Sequence, residues 1–278
     1  MTIAPDPSSA VLEFYQKLPF NFSSSPVNQV DEIRRWNAVA IYPVLPPLLK
    51  RNARVLEAGC GAGTFSCNLA YHYKAPVLAI DFNPVAIERA RDVARLLKVD
   101  IEFRVANIFE FRPEVPADLA VSLGVLHHTK DCHAAIRHIC SHYIRPGGHF
   151  FLGLYHLDGR GPFLEHFSAM KQRGASEAEM FKEYARLDTR ITDRTYLQSW
   201  FRDQVLHPHE TGHTLREMVP LLEDCGMSLR STSINNFAPI ASMEALFAQE
   251  MKLSDVGRER LAAGQYYPGF FLMLAQKT

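Results

Sequence analysis

The sequence predicts an α/β fold. It is a doubly wound, mostly parallel seven-stranded sheet with an N-terminal helical segment and a helical insertion (lid) after the fifth strand. Three observations predict it. From residue 54 onward, short apolar strands alternate with amphipathic helices, which is the pattern of βαβ units in a parallel sheet. The alternation stops after residue 155, and residues 156–205 are rich in charge and aromatics without an evident strand. It resumes with one more helix and two strands before residue 278.

Taken in order, residues 1–50 form a cap: Pro5 and Pro7 start a loose end, and "VLEFYQKLPF" and "VDEIRRWNAVAIYPVLPPLL" read as two short helices split by "NFSSSPVN". Strands are expected at 53–58, 76–81, 100–105, 117–123 and 148–155, with helices at 63–73, 84–98 and 131–144. Asn83 is a capping residue and Pro84 suits the first helical position, where its missing N–H costs nothing. "RPGG" (145–148) is expected to end the third of these helices, because glycine tolerates positive φ. Beyond the 156–205 insertion come a helix at 214–226 capped by Thr211 or Thr214, the strand "MSLRSTSI", a helix within 241–252 and a last strand at 269–277. The sheet domain is therefore 51–155 together with 206–278.

Composition narrows the functional classes. A hydrophobic fraction of 47% and a charged fraction of 22% describe an ordinary globular protein. Thirty basic side chains balance thirty acidic ones, without the basic excess of a nucleic-acid binder. Arg89, Arg91, Arg95 and Lys98 read as a solvated helix face. The five cysteines form no CxxC pair, no apolar leader opens the chain, and no run has the length of a membrane span. The expectation is a reduced, cytoplasmic protein without a membrane partner.

The chemistry concentrates in "VLEAGCGAGT" (55–64). Gly59, Gly61 and Gly63 follow the first strand, at the sheet edge where open α/β folds bind ligands. Glycine lets the chain turn sharply and lets a ligand touch the backbone. The free N–H groups of the next helix add donors. A pyrophosphate loop reads GxGxxG, whereas here the third glycine comes one residue early and position 64 is Thr. Glu57 would repel a pyrophosphate but suits an ammonium group. Asp81, at the end of the second strand, is placed to accept from both hydroxyls of a ribose. The ligand these residues describe is a nucleoside with a cationic, phosphate-free tail, and S-adenosylmethionine fits that description. A nicotinamide dinucleotide fits the spacing and Glu57 poorly.

With "AIDFNPVAIERAR", "VANIFEF", "DLAVSLGVLHHTKD" and "IRPGGHFFLGLYH" following in order, the chain resembles the class I S-adenosylmethionine-dependent methyltransferases across residues 52–156, and loosely across 210–277. That resemblance implies the same cofactor and assigns it residues. Gly59, Gly61 and Gly63 would line its methionine part and Glu57 would bond its amino group. Asp81 would hold the ribose, Phe82 would pack on the adenine, Asn107 and Ile108 would border the adenine edge, and Leu123 and Gly124 would close the pocket. Asn107 departs from the Asp most members carry there, keeping an acceptor but losing a charge.

Methyl transfer to N or O needs alignment, exclusion of water and often one general base. His127 and His128, at the carboxyl end of the fourth strand, are the candidate bases, with packing as the alternative. Tyr155, His156 and Arg160 leave the fifth strand towards the insertion and are the first candidates to meet the acceptor, with His209 and His213. His207, His209, Glu210 and His213 fall within seven residues. Pro208 breaks the helical HExxH spacing, so acceptor lining or ordinary loop histidines are expected there and no metal. His138 and His142 share a helix face and read as packing or surface groups. The aromatics of the cap (Phe14, Tyr15, Phe20, Phe22, Trp36) and of the insertion (Phe163, Phe167, Phe181, Tyr184, Tyr196, Trp200, Phe201) either roof the site, form the insertion's own core or make a homodimer contact. Charge balance and the variable insertion favour a small-molecule methyl acceptor over RNA or protein. A non-catalytic cofactor-binding module is the remaining alternative.

Overall fold

Strands β1 (Val55–Ala58), β2 (Val77–Asp81), β3 (Glu102–Val105), β4 (Ala117–Leu123), β5 (Ile144–Tyr155), β6 (Met227–Thr232) and β7 (Phe270–Lys277) build a seven-stranded sheet in the order β3-β2-β1-β4-β5-β7-β6. The computed structural model describes residues 7–49 and 53–278. The first five strands pair in parallel, and β7 runs antiparallel between β5 and β6. Strand order reverses between β1 and β4, so the loops after these two strands flank a crevice at their carboxyl ends.

Helices cover both faces. On one lie α2 (Pro26–Arg35), α3 (Thr64–Tyr73) and α4 (Pro84–Leu97), packed through Ile33, Leu69, Ile87 and Val93 onto Val55, Val77 and Ala79. On the other, α5 (Cys132–His142) and α9 (Leu215–Asp224) bring Ile136, Ile139, Met218 and Leu222 against Leu56, Ile80 and Leu152. Each such side chain stabilises the fold by about 1.5–3 kcal/mol through burial. All four residues of β1 are buried, as an inner parallel strand requires, and Glu57 is the one that is not apolar.

Local chemistry sets the helix ends. Asn83 Oδ1 accepts from the Val85 N–H at 3.0 Å, with Pro84 opening α4. Thr214, rather than Thr211, caps α9 in a reciprocal capping box with Glu217. "RPGG" behaves differently from expectation. α5 stops at His142, and residues 145–148 belong to an irregular start of β5, where the ladder with β4 shifts between Ala117 and Leu119. A Cβ on Gly148 would meet Arg145 O at 2.9 Å, so the glycine permits a bulge here.

Other boundaries also moved. Pro7 opens a helix, α1 (Pro7–Lys17), while Pro5 and the boundary drawn between residues 50 and 51 lie outside the described residues. β1 and β3 start two residues later than expected, and "MSLRSTSI" leaves the sheet at Thr232 in a 3₁₀ turn. The 241–252 segment is α10 (Met243–Glu250), and it is followed by an unforeseen helix, α11 (Leu253–Ala262). Gly257 lowers the intrinsic stability of this helix. In space it lets α11 approach another helix, since a Cβ there would sit 3.0 Å from Gly159 O.

The insertion comprises α6 (Leu157–Gln172), α7 (Glu177–Leu187) and α8 (Arg194–Val205). Phe163, Phe167, Tyr184 and Phe201 form its own core with Met180 and Leu187. The cap aromatics divide. Phe14 and Tyr15 pack on His207, Phe20 on Trp200 and Phe22 on the Arg89 guanidinium, whereas Trp36 is 59% exposed and roofs nothing. Arg89 is consequently not a solvated residue, and it also donates to Ser23 O at 3.1 Å, while Arg91 donates to Phe103 O. No helix among the described residues is long and apolar enough to cross a membrane.

Candidate active site

The glycine loop is anchored at both ends. The N–H groups of Gly59 and Cys60 both donate to Ile80 O, at 2.8 and 3.0 Å, which ties the turn after β1 to β2. Gly59, Gly61 and Gly63 all have positive φ (80°, 52° and 77°). They do not share one task. A Cβ on Gly59 would lie 2.4 Å from Val125 Cγ1, and one on Gly63 would lie 2.7 Å from Ala90 Cβ. These two are glycines because the protein itself crowds them. Gly61 meets nothing nearer than Phe20 O at 3.8 Å, so its open face is the one available to a ligand. Gly59→Ala is expected to cost roughly 2–4 kcal/mol in urea unfolding, from left-handed strain plus overpacking, and Gly61→Ala distinctly less. Equal losses would refute this division.

Two carboxylates flank the loop. Glu57 is 5% exposed, accepts a short hydrogen bond from the Ser66 hydroxyl on α3, and has its pKa pushed up to about 8, chiefly by burial. Asp81 is 8% exposed, and burial raises it too, against backbone N–H donors. Its Oδ2 accepts from Gly61 N–H at 2.8 Å and its Oδ1 from Asn83 N–H at 2.9 Å. Buried acids of this kind lack a compensating charge, which a ligand with an ammonium group and ribose hydroxyls supplies. The residues present therefore fit S-adenosylmethionine.

The adenine-side candidates lie nearby in the chain. Phe82 is half-buried directly after β2, and Ile108 is buried. Asn107 is committed locally, accepting from Phe109 N–H at 3.0 Å and donating to Glu110 at 3.2 Å, which explains an amide at this turn. Leu123 and Gly124 are half-buried at the end of β4, and Gly124 N–H donates to Gly153 O at 3.1 Å.

His127 and His128 sit in the 3₁₀ turn after β4, both buried, and hydrogen bonds distinguish them. His127 Nδ1 accepts from Tyr155 N–H at 3.2 Å, so its proton is on Nε2. His128 Nδ1 faces His209 O at 3.0 Å, and a carbonyl only accepts, so its proton is on Nδ1 and Nε2 carries the lone pair. His207 Nδ1 accepts from His209 N–H at 3.1 Å, leaving N–H at Nε2. The three Nε2 atoms are buried without a hydrogen-bond partner. The rings are contiguous, with His128 stacked on His207 at 3.7 Å and 4.3 Å from His127. Burial lowers the pKa of all three, to about 3 for His128 and His207.

Asp203 on α8 stands 3.7 Å from His128 Nε2. It accepts from Tyr15 OH at 2.5 Å, Tyr155 OH at 3.1 Å and Gln204 Nε2 at 2.9 Å. Cap, insertion and sheet thus converge on the histidines. Sequence reasoning named Tyr155 and Tyr15 but missed Asp203, Gln204 and Ser66, which carry no motif and are assembled only by packing.

Other expected acceptor residues make contacts within the protein. His156 is fully buried; Nδ1 accepts from Gly159 N–H to cap α6 and Nε2 pairs with Glu250 at 2.9 Å, so neither nitrogen is left for an acceptor. Arg160 grips Glu210 at 2.6 and 2.7 Å, Gln204 O at 2.9 Å and Pro268 O at 3.2 Å, and stacks on Tyr155 at 3.5 Å. With every nitrogen engaged inside the protein, it fastens the insertion. His209 Nε2 bonds Thr129 O, and His213 lies between Thr211 and Glu217. The "HPHETGH" stretch is therefore not one cluster, because its side chains diverge.

Fold and site together define a class: an α/β protein binding a nucleoside with a cationic tail beside a carboxylate-flanked glycine loop. The family model described as "Methyltransferase domain" matches residues 49–231, and the chain belongs to that family of S-adenosylmethionine-dependent class I methyltransferases. Among curated proteins it is similar to the ubiquinone biosynthesis O-methyltransferase of Xanthomonas euvesicatoria, 34% identical over 42% of this chain and 48% of that protein. The chain thus spans about half the length of the curated relatives it matches. Among solved structures it is similar to Rickettsia typhi PKMT2 in complex with AdoHcy, with a TM-score of 0.59 at 17% identity over 93% of this chain and 54% of that one. It is also similar to the Synechocystis magnesium protoporphyrin IX methyltransferase with bound SAM, with a TM-score of 0.55 at 14% identity over the full length of both chains. At these identities the structures show a shared fold.

Proposed function

We propose that this protein transfers a methyl group from S-adenosylmethionine to an oxygen of a small-molecule acceptor. The observation that carries the reading is the pair of buried carboxylates, Glu57 and Asp81, beside a glycine loop in which Gly61 keeps an open face. The O-methyltransferase names of the curated relatives favour oxygen over nitrogen. When bound, the cofactor supplies a methyl group already activated on a sulfonium. Glu57 would hold the amino group, Asp81 the ribose hydroxyls, and Phe82 and Ile108 the adenine. His128 is the general base: its Nδ1–H is fixed on His209 O, and its Nε2 lone pair takes the acceptor hydroxyl proton. Asp203 pairs with the imidazolium this creates, and the N–H groups of His127 and His207 orient the acceptor. Tyr155 and Tyr15 hold Asp203 in place, while Arg160, His209 and His213 support the cluster from behind.

The division into cap (1–50), sheet domain (51–155 and 206–278) and lid (156–205) belongs to the same proposal. Tyr15 on α1 and Asp203 on α8 meet above the histidines, which suits closure over a reactive sulfonium. A cytoplasmic location is part of it too, resting on five unpaired thiols.

Methyl-labelled cofactor offered with pools of small phenols, small amines, RNA and protein tests the reading. Label is expected in the phenolic pool, and label confined to amines, RNA or protein would overturn it.

Cofactor affinity should also depend on pH in a fixed direction. Glu57 holds its proton up to about pH 8, and an ammonium group requires the carboxylate. Affinity should therefore rise about tenfold per unit as pH increases towards the Glu57 pKa, and fall again above it as the free ligand's own α-amino group, with an ordinary pKa of about 7.7–8.0, loses its proton. Calorimetry in buffers of different ionisation heat should register one proton released per ligand on the acid side of that maximum. A flat profile without proton release would remove Glu57 from the contact.

A further inference from the structure

We propose that His133, His213 and Glu217 bind one divalent transition ion of the zinc class, at a site separate from the methyl-transfer centre. His133 lies on α5, Glu217 on α9, and His213 immediately before the α9 cap. One candidate ligand atom from each falls within 4.8 Å of the other two. His213 Nδ1 is 3.2 and 3.3 Å from the two Glu217 oxygens, and His133 Nε2 is 2.5 Å from Glu217 Oε1. Tetrahedral zinc with bonds near 2.0–2.1 Å needs ligand separations of about 3.3 Å. His213 and Glu217 already meet that spacing. His133 must back away by less than an ångström, and its side chain is 44% exposed, so it is free to do so.

The surroundings orient the set as metal sites require. His213 is buried, its backbone N–H donates to Tyr155 O and its O accepts from Leu157 N–H, which pins it to the end of β5. Its distal nitrogen, Nε2, lies 2.8 Å from Thr211 Oγ1, and that hydroxyl bonds His127 O at 3.2 Å. This fixes the ring and directs Nδ1 at the carboxylate. With Nε2–H donating to Thr211, the Nδ1 lone pair faces two carboxylate oxygens, and a cation between them, the proton of an imidazolium or a metal ion, joins the pair. Two imidazoles and one carboxylate select Zn²⁺, Co²⁺ or Ni²⁺ over Mg²⁺ or Ca²⁺, and a half-exposed third ligand leaves a fourth position for water. Bound there, the ion would staple α5 to the 207–214 loop.

Tag-free full-length protein titrated with Co²⁺, followed by visible absorption and calorimetry, tests this. One ion per chain is expected, with His133→Ala and Glu217→Gln each weakening binding at least tenfold. Gln retains the capping role at position 217, and His133 is at the surface, so both variants should fold. Zn²⁺ should raise the melting temperature of the wild type and not of His133→Ala. His142→Ala should change nothing. The proposal is overturned if wild-type protein takes up no stoichiometric Co²⁺, or if His133→Ala binds as well as wild type. Loss on His142→Ala would instead assign the ion to the His138–His142 pair.

Discussion

Replacing His128 with Gln should lower methyl transfer by about 10²–10⁴-fold, the usual contribution of a positioned general base, with little change in cofactor affinity. Gln can keep a hydrogen bond to His209 O but offers no nitrogen lone pair where Nε2 stands. His127→Gln is the informative contrast. His127 Nε2 carries a proton, because Nδ1 accepts from the Tyr155 backbone, so the proposed mechanism does not use it as the base. Its replacement should act on stability and acceptor orientation, and turnover per folded molecule should fall far less. Single-turnover rates on both variants, corrected for folded fraction, decide the matter. Wild-type turnover in His128→Gln would make this histidine structural. The pH profile adds a second readout. Burial takes the His128 pKa down to about 3, so the free enzyme should show no acid limb near the ordinary histidine value. Such a limb would identify a different base.

Removing either carboxylate of the cofactor site should be nearly as costly to binding. Glu57→Ala and Asp81→Ala should each weaken S-adenosylmethionine binding by about 1.5–3 kcal/mol, the worth of a hydrogen bond to a charged group, or roughly 10–150-fold. Glu57 allows a sharper test, because its effects on stability and on binding have opposite signs. Its folded pKa is raised above the unfolded value of 4.5, to about 8. Stability from the protonated form is therefore complete below the unfolded value and is lost as pH rises through the window to the folded one. Unliganded Glu57→Gln should be more stable than wild type at the alkaline end of that window, yet bind the cofactor more weakly. Thermal melts and calorimetry on the same samples separate the two effects. Weaker binding together with lower stability there would mean that Glu57 is a structural acid.

Legibility followed the range of the interactions. β1, β2 and β4 were readable because each is an apolar run bounded by a turn signal, and α4 because Asn83 and Pro84 set its start within two residues. α11 was not, since Gly257 weakens a helix locally and its advantage is close contact with Gly159, 98 positions away in the chain. "RPGG" misled for a related reason: glycine permits both a helix end and a strand bulge, and the neighbouring strand chooses. The proposed cofactor half of the site was legible because Glu57, Gly61 and Asp81 come from two adjacent βα turns. The acceptor half was not, because Asp203 reaches His128 from 75 residues away and Tyr15 reaches Asp203 from 188.

The sequence by itself determined the sheet class and the family and supplied the proposed donor-side residues, since these rest on periodicity and short spacings that survive without a folded context. Only the tertiary structure gives His127 and His128 different tautomers, because a tautomer is set by the partner of the other ring nitrogen, and those partners, Tyr155 N–H and His209 O, are distant in the chain. It likewise decided that Gly59 and Gly63 answer to Val125 and Ala90 while Gly61 alone presents an open face. Which of three equivalent glycines is crowded depends on what packs beside it.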